Sequence, residues 1–201
     1  MSRYKTAVVW AALLAAIIVP MALSALSPQL AWRGPAYIVA GFAGVLGLAL
    51  LLLQPLLAGR FLPGLSPLRT RYFHRIVGSL LVFAVVVHVG GLWVTTAPDV
   101  IDALLFRSPT PFSVWGVVAM WAVFAAALLA ATRKRIRLRW STWRLSHAGL
   151  ALVTVVGTVV HAMLIEGTME LISKTVLCGL VLIATGVLLF SLWKKGTRKI
   201  V

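Results

Sequence analysis

Six long apolar runs take up most of this 201-residue chain, at about 7–26, 36–57, 76–96, 113–131, 147–165 and 174–193. A helix needs about 20 mostly apolar residues to cross a hydrocarbon core about 30 Å thick, and each run meets or approaches that length. Hydrophobic residues make up 61% of the chain and charged residues 11%, more apolar material than a soluble core of this size can hide. The predicted fold class is therefore an all-α membrane protein, a six-transmembrane-helix bundle. The remaining segments are short, so residues 1–201 are expected to form a single domain with no fused flavin or nucleotide domain. Any reductant or substrate chemistry of that kind would come from a partner.

Charge sets the expected orientation. In a six-span arrangement Arg3, Lys5, Arg60, Arg69, Arg71, Arg75, Arg133, Lys134, Arg135, Arg137, Arg139, Arg144, Lys194, Lys195, Arg198 and Lys199 fall on one side, and only Arg33, Arg107 and Lys174 on the other. Lysine and arginine in short loops mark the cytoplasmic face, so both termini are predicted cytoplasmic, in a bacterial inner (plasma) membrane. Arg3 and Lys5 ahead of an apolar run ending near Ala22-Leu23-Ser24-Ala25 also resemble a secretory leader, but the run is longer than a usual leader core. The net charge of +15 follows from the orientation signal and suits anionic membrane lipid; it is not read as nucleic-acid binding. The basic segment between the fourth and fifth spans is also a candidate docking face for an acidic electron donor.

The chain has four histidines, His74, His88, His147 and His161, in two pairs with the same fourteen-residue internal separation. Fourteen residues is nearly four helical turns, which keeps each pair on one helix face with about 21 Å between rings along the axis. The third and fifth spans are separated by one crossing and so run parallel. His74 and His147 then lie level at the cytoplasmic ends, and His88 and His161 lie level in the outer half. An ionisable side chain in a bilayer is costly and marks a functional site, and imidazole is a common ligand of metals and haem. A lone histidine could be an interhelical hydrogen-bonding group; four at matched depths and spacing on two parallel helices point to ligation.

Zinc sites built from histidine gather ligands three or four residues apart, which this spacing does not supply. Two histidines facing each other from separate helices suit the two axial positions of a haem. Gly78, four residues after His74, and Gly157, four before His161, with Ala151, Thr154 and Thr158, are candidates for a slot of small residues. Haem propionates call for cationic partners; Arg75 and Arg144 are the inner candidates, and Arg33, Arg107 and Lys174 the outer ones. Cys178 is the only cysteine and is expected to be a buried, inert residue of the sixth span. Gly41, Gly44 and Gly47 form a small-residue face expected to pack helices closely, and Pro20 and Pro55 are expected to kink or end their helices.

The stretch Leu68-Arg69-Thr70-Arg71-Tyr72-Phe73-His74-Arg75-Ile76-Val77-Gly78, followed by His88, resembles the third helix of the ferric reductase-like transmembrane domain with its His-Arg-x-x-Gly signature. Trp140-Ser141-Thr142-Trp143-Arg144-Leu145-Ser146-His147, followed by His161, resembles that family's fifth helix, with an aromatic residue four before the first histidine. The resemblance implies two b-type haems, the inner one bound by His74 and His147 and the outer one by His88 and His161. It further implies a transmembrane cytochrome passing electrons from a cytoplasmic flavoprotein reductase, linked to flavin and NAD(P)H, to an outer-side acceptor: ferric iron, quinone, oxygen or a periplasmic enzyme. Flavin would enter only through that partner.

The superfamily also includes the haem-binding membrane subunit of a periplasmic methionine sulfoxide reductase system, which is an alternative assignment. That subunit often carries arginine where this chain has His74, and the histidine here supports two haems. A non-redox metal transporter or membrane scaffold, with histidines binding a transition metal or bridging helices, is the alternative of another class. With both axial positions of a haem filled, no site is open for activating oxygen, so electron transfer is the expected task and no catalytic residue is expected.

Overall fold

The computed structural model describes residues 3–197, with side chains as far as Lys194; the side chain of Lys195, and Arg198 and Lys199 altogether, lie outside the described residues. The elements are α1 (Arg3–Ala25), a 3-10 turn (Pro28–Leu30), α2 (Pro35–Gly59), α3 (Pro67–Leu104), α4 (Pro111–Ile136), α5 (Trp140–Leu164) and α6 (Leu171–Thr197). No strand occurs among the described residues, and all six long helices are apolar enough to cross a membrane. In hydrocarbon a backbone has no water to bond, so a chain of this composition satisfies its own amides as helix.

Local sequence sets the helix ends. Pro35, Pro67 and Pro111 open α2, α3 and α4 at the position where a missing N–H costs nothing. Ser66 caps α3 by accepting a hydrogen bond from the Arg69 amide at 3.3 Å. The helices α2 and α4 both stop on an arginine in the left-handed region, Arg60 at φ 58° and Arg137 at φ 49°. At 38 residues α3 is far longer than a bilayer requires, but its backbone breaks at Thr96 (φ −146°, ψ 67°), two residues before Pro98. The regular helix thus breaks at the residue where the apolar run ends, and a short helix continues beyond it. Pro20 and Pro55 lie inside α1 and α2 and end neither.

The connections alternate between two ends. One end, with Arg60 and the segment from Arg133 to Arg139, is strongly basic; the other carries the loops 26–34, 105–110 and 165–170. The closest helix pairs are α2 with α3 and α4 with α5, and α2 also packs on α6. The core runs along α2 from Leu48 to Leu52 and takes in Leu81, Val123, Val155, Val159, Leu177, Cys178 and Val181. Most other large apolar side chains of α1, α3, α5 and α6 point outward, where a lipid chain rather than water would cover them. Cys178 is buried, as expected.

At the less basic end two charged side chains serve helix termini. Lys174 is 94% buried, being only 6% exposed, and its Nζ donates to the Ile165 carbonyl at 2.8 Å, satisfying an end of α5. The Glu170 carboxylate accepts from the amides of Ile172 at 2.7 Å and Ser173 at 2.9 Å, capping α6. Those amide bonds hold its carboxyl below the usual carboxylate range.

Candidate functional site

All four histidines turn into the space between α3 and α5, two helices that do not pack closely on each other. His74 faces His147 with ring centroids 6.4 Å apart and ring planes at 72°. One layer further along, His88 faces His161, again at 6.4 Å and with planes at 80°. The level pairing read from spacing and topology is the pairing the fold makes. His74 and His147 each stand seven residues into their helices, which begin at Pro67 and Trp140, so equal starting points carry the pairs into register.

The separation tests what the pairs can hold. Two imidazoles bound through nitrogen to one ion between them, each with a bond of about 2 Å and about 1.1 Å from nitrogen to ring centre, place their centroids about 6.2 Å apart. Both layers match that distance. Among the described residues no group of three His, Cys, Asp or Glu side chains comes together, so each layer offers two imidazoles, fewer than a structural zinc site uses. A six-coordinate metal with its other positions filled by a planar macrocycle fits two such ligands.

The second layer is oriented by the backbone. Nδ1 of His88 lies 2.7 Å from the Ala40 carbonyl of α2, and Nδ1 of His161 lies 2.9 Å from the Phe112 carbonyl of α4. A carbonyl only accepts, so Nδ1 carries the proton and donates in both, which leaves the Nε2 lone pair available to a metal. Two glycines give these rings their room. A Cβ on Gly44 would stand 3.0 Å from Nδ1 of His88, and one on Gly116 would stand 2.7 Å from Nδ1 of His161. The carbonyl residue and the glycine are four apart in both helices, so α2 with α3 and α4 with α5 are two copies of one arrangement.

The first layer is held differently. Nδ1 of His74 and of His147 is buried with no hydrogen-bond partner among the described residues. His147 is instead stacked on Trp143 at 5.3 Å and 7°, and Trp143 is tied to α4 by its Nε1 donating to the Leu129 carbonyl at 3.3 Å. Gln54 reaches across from α2, its Nε2 donating to the His74 carbonyl at 3.5 Å.

Several expectations about the surroundings are redrawn. The small residues that adjoin the histidine rings are Gly44 and Gly116, on the helices behind them. Gly157 serves instead to seat α5 on α4: a Cβ there would lie 3.0 Å from both Ala119 Cβ and the Trp115 carbonyl. A Cβ on Gly78 would lie 3.5 Å from Gln54 Nε2, so it faces α2. The Gly41, Gly44 and Gly47 face does more than pack helices, because its middle member adjoins the His88 ring. No one-helix spacing rule finds Gly116, because what it accommodates is 45 residues away in the chain. Arg75 and Arg144 are exposed beside the first layer. Of the three outer cations, Lys174 is committed to α5, and Arg33 lies over the Tyr37 ring at 4.4 Å.

No curated protein and no solved structure matches this chain. The family model described as "Ferric reductase like transmembrane component" matches residues 43–158, more than half of the chain, taking in Gly44, His74, His88, Gly116 and His147 and stopping just before His161. Six apolar helices and this match together make the chain a multi-pass integral membrane redox component, and it belongs to the ferric reductase-like transmembrane family.

Proposed function

We propose that the protein is a di-haem transmembrane cytochrome of the b type. His74 and His147 are the axial ligands of an inner haem, and His88 and His161 those of an outer one. The observation that carries this is the repeated 6.4 Å separation of the facing rings, the spacing that axial ligation of one iron by two imidazoles requires. When bound, the haem supplies reversible one-electron iron chemistry.

The residues of the chain do the rest. Ala40 and Phe112 fix the tautomer and plane of the outer ligands through their carbonyls, while Gly44 and Gly116 let those rings approach. Trp143 sets the plane of His147. With both axial positions taken by histidine, the arrangement is built for electron transfer and not for binding oxygen at iron. Arg75 and Arg144, exposed at the level of the first layer, are the partners for the inner propionates.

The basic end faces the cytoplasm of a bacterial cell, so both termini lie inside the plasma membrane and anionic lipid surrounds the arginines. A cytoplasmic flavoprotein reductase supplies electrons there, and an acceptor on the outer side, such as ferric iron, quinone, oxygen or a periplasmic enzyme, removes them. Optical spectra of the purified protein, oxidised and then reduced, test the proposal. Two b-type haems per chain are expected; protein made with ample haem and lacking those bands would overturn it.

A further inference from the structure

The basic end of α5 opens with three flat rings on one helix face, Trp140, Trp143 and His147, at spacings of three and four residues. They form a continuous stack. Trp140 and Trp143 lie 5.2 Å apart at 18°, and Trp143 and His147 lie 5.3 Å apart at 7°. The Arg133 guanidinium closes the stack from α4, 4.2 Å from the centre of Trp140 and 4.5 Å from that of Trp143. Trp140 is 55% exposed at the basic end, so the row runs from the protein surface to a ligand of the inner site. A tryptophan that only anchors a helix at the membrane interface has no need to stack face to face on a histidine.

We propose that this row is the electron input of the protein. An acidic partner carrying a reduced flavin docks on the cationic turn formed by Arg133, Lys134, Arg135, Arg137, Arg139 and Arg144, bringing the flavin to Trp140. One electron then crosses through the overlapping rings to the iron held by His147. The flavin hydroquinone loses one electron and releases a proton to solvent, one ferric iron becomes ferrous, and the two indoles end the step unchanged. This inference rests on the di-haem reading. Trp140 and Trp143 act through His147 and are positioning residues for the transfer.

The test uses the full chain, oxidised and anaerobic in lipid nanodiscs, mixed in a stopped-flow instrument with photoreduced flavin mononucleotide while the haem bands are followed. Trp140→Leu should keep both haems and their midpoint potentials, and its limiting rate and that of Trp143→Leu are compared per haem bound. The limiting rate at saturating flavin should fall severalfold in each, and Trp140→Phe and Trp143→Phe should restore most of it. Since Trp140 covers Trp143, the Trp143→Leu change should lower the limiting rate with little change in the flavin concentration at half-saturation. Near-ultraviolet circular dichroism of protein made without haem gives a readout independent of turnover: the coupled signal of two parallel indoles should disappear in either leucine variant. Wild-type limiting rates in both leucine variants at full haem content would overturn the proposal. If Trp143→Leu loses haem through its contact with His147, Trp140→Leu alone decides the outcome. Wild-type protein without haem would instead overturn the underlying di-haem reading.

Discussion

At the residue scale the least conspicuous side chains are the most constrained. Gly116 has the His161 ring where its Cβ would be, at 2.7 Å from Nδ1, and that nitrogen is already hydrogen-bonded to the Phe112 carbonyl. Gly116→Ala should therefore destabilise the protein by about 1–3 kcal/mol, the cost of overpacking a close-fitted interior. It should also lower the occupancy of the outer haem, measured as haem per protein after purification. Gly44→Ala, with its Cβ at 3.0 Å, should show the same effect more weakly, and Gly149→Ala, which meets nothing within 4 Å, should be neutral. Glu170 offers a pH test. Its carboxyl is held low by the Ser173 and Ile172 amides, so its contribution is complete above the ordinary carboxylate pKa and is lost as pH falls through the lowered folded value. Amide exchange at Ile172 and Ser173 should speed up, relative to the intrinsic rate, over that acidic interval, and Glu170→Gln should abolish the dependence.

At the scale of elements, α3 and α5 each carry one histidine of each layer, while α2 and α4 stand behind them and hold the outer rings. Single replacements should reveal the layers. His74→Ala and His147→Ala should remove the same haem, and His88→Ala and His161→Ala the other, each halving the haem content and leaving one of two spectral components. If His74→Ala and His88→Ala removed the same component, the layered assignment would fail. The spans and the histidine columns were legible in the sequence because hydropathy and a fourteen-residue interval are properties of one helix at a time. The use of Gly44 and Gly116 was not, since a helix records its own periodicity and carries no mark of which neighbour will lie against it.

For the whole molecule, orientation would set the direction of electron flow in the proposed cytochrome. The basic end should face the cytoplasm. A cysteine at Arg107→Cys, in the loop of the less basic end, should react with a membrane-impermeant maleimide added to intact cells. One at Arg137→Cys should react only after the membrane is opened; the native Cys178 is buried and supplies little background. The reverse pattern would invert the bundle and with it the roles of the two layers.

By itself the sequence determined the membrane as solvent, the six helices, the end of the third span near Thr96 and the alignment of four histidines on two parallel helices. These follow from hydrophobicity, proline and helical period, which act within a few turns of chain. Only the tertiary structure decided that facing rings stand 6.4 Å apart, that the Ala40 and Phe112 carbonyls engage Nδ1 of the outer rings, and that Lys174 is spent on the end of α5. It also turned an aromatic residue four positions before His147 into the middle of a stack reaching the protein surface. Those outcomes depend on the distance and rotation between helices, which arise from packing among segments far apart in the chain and are written in none of them alone.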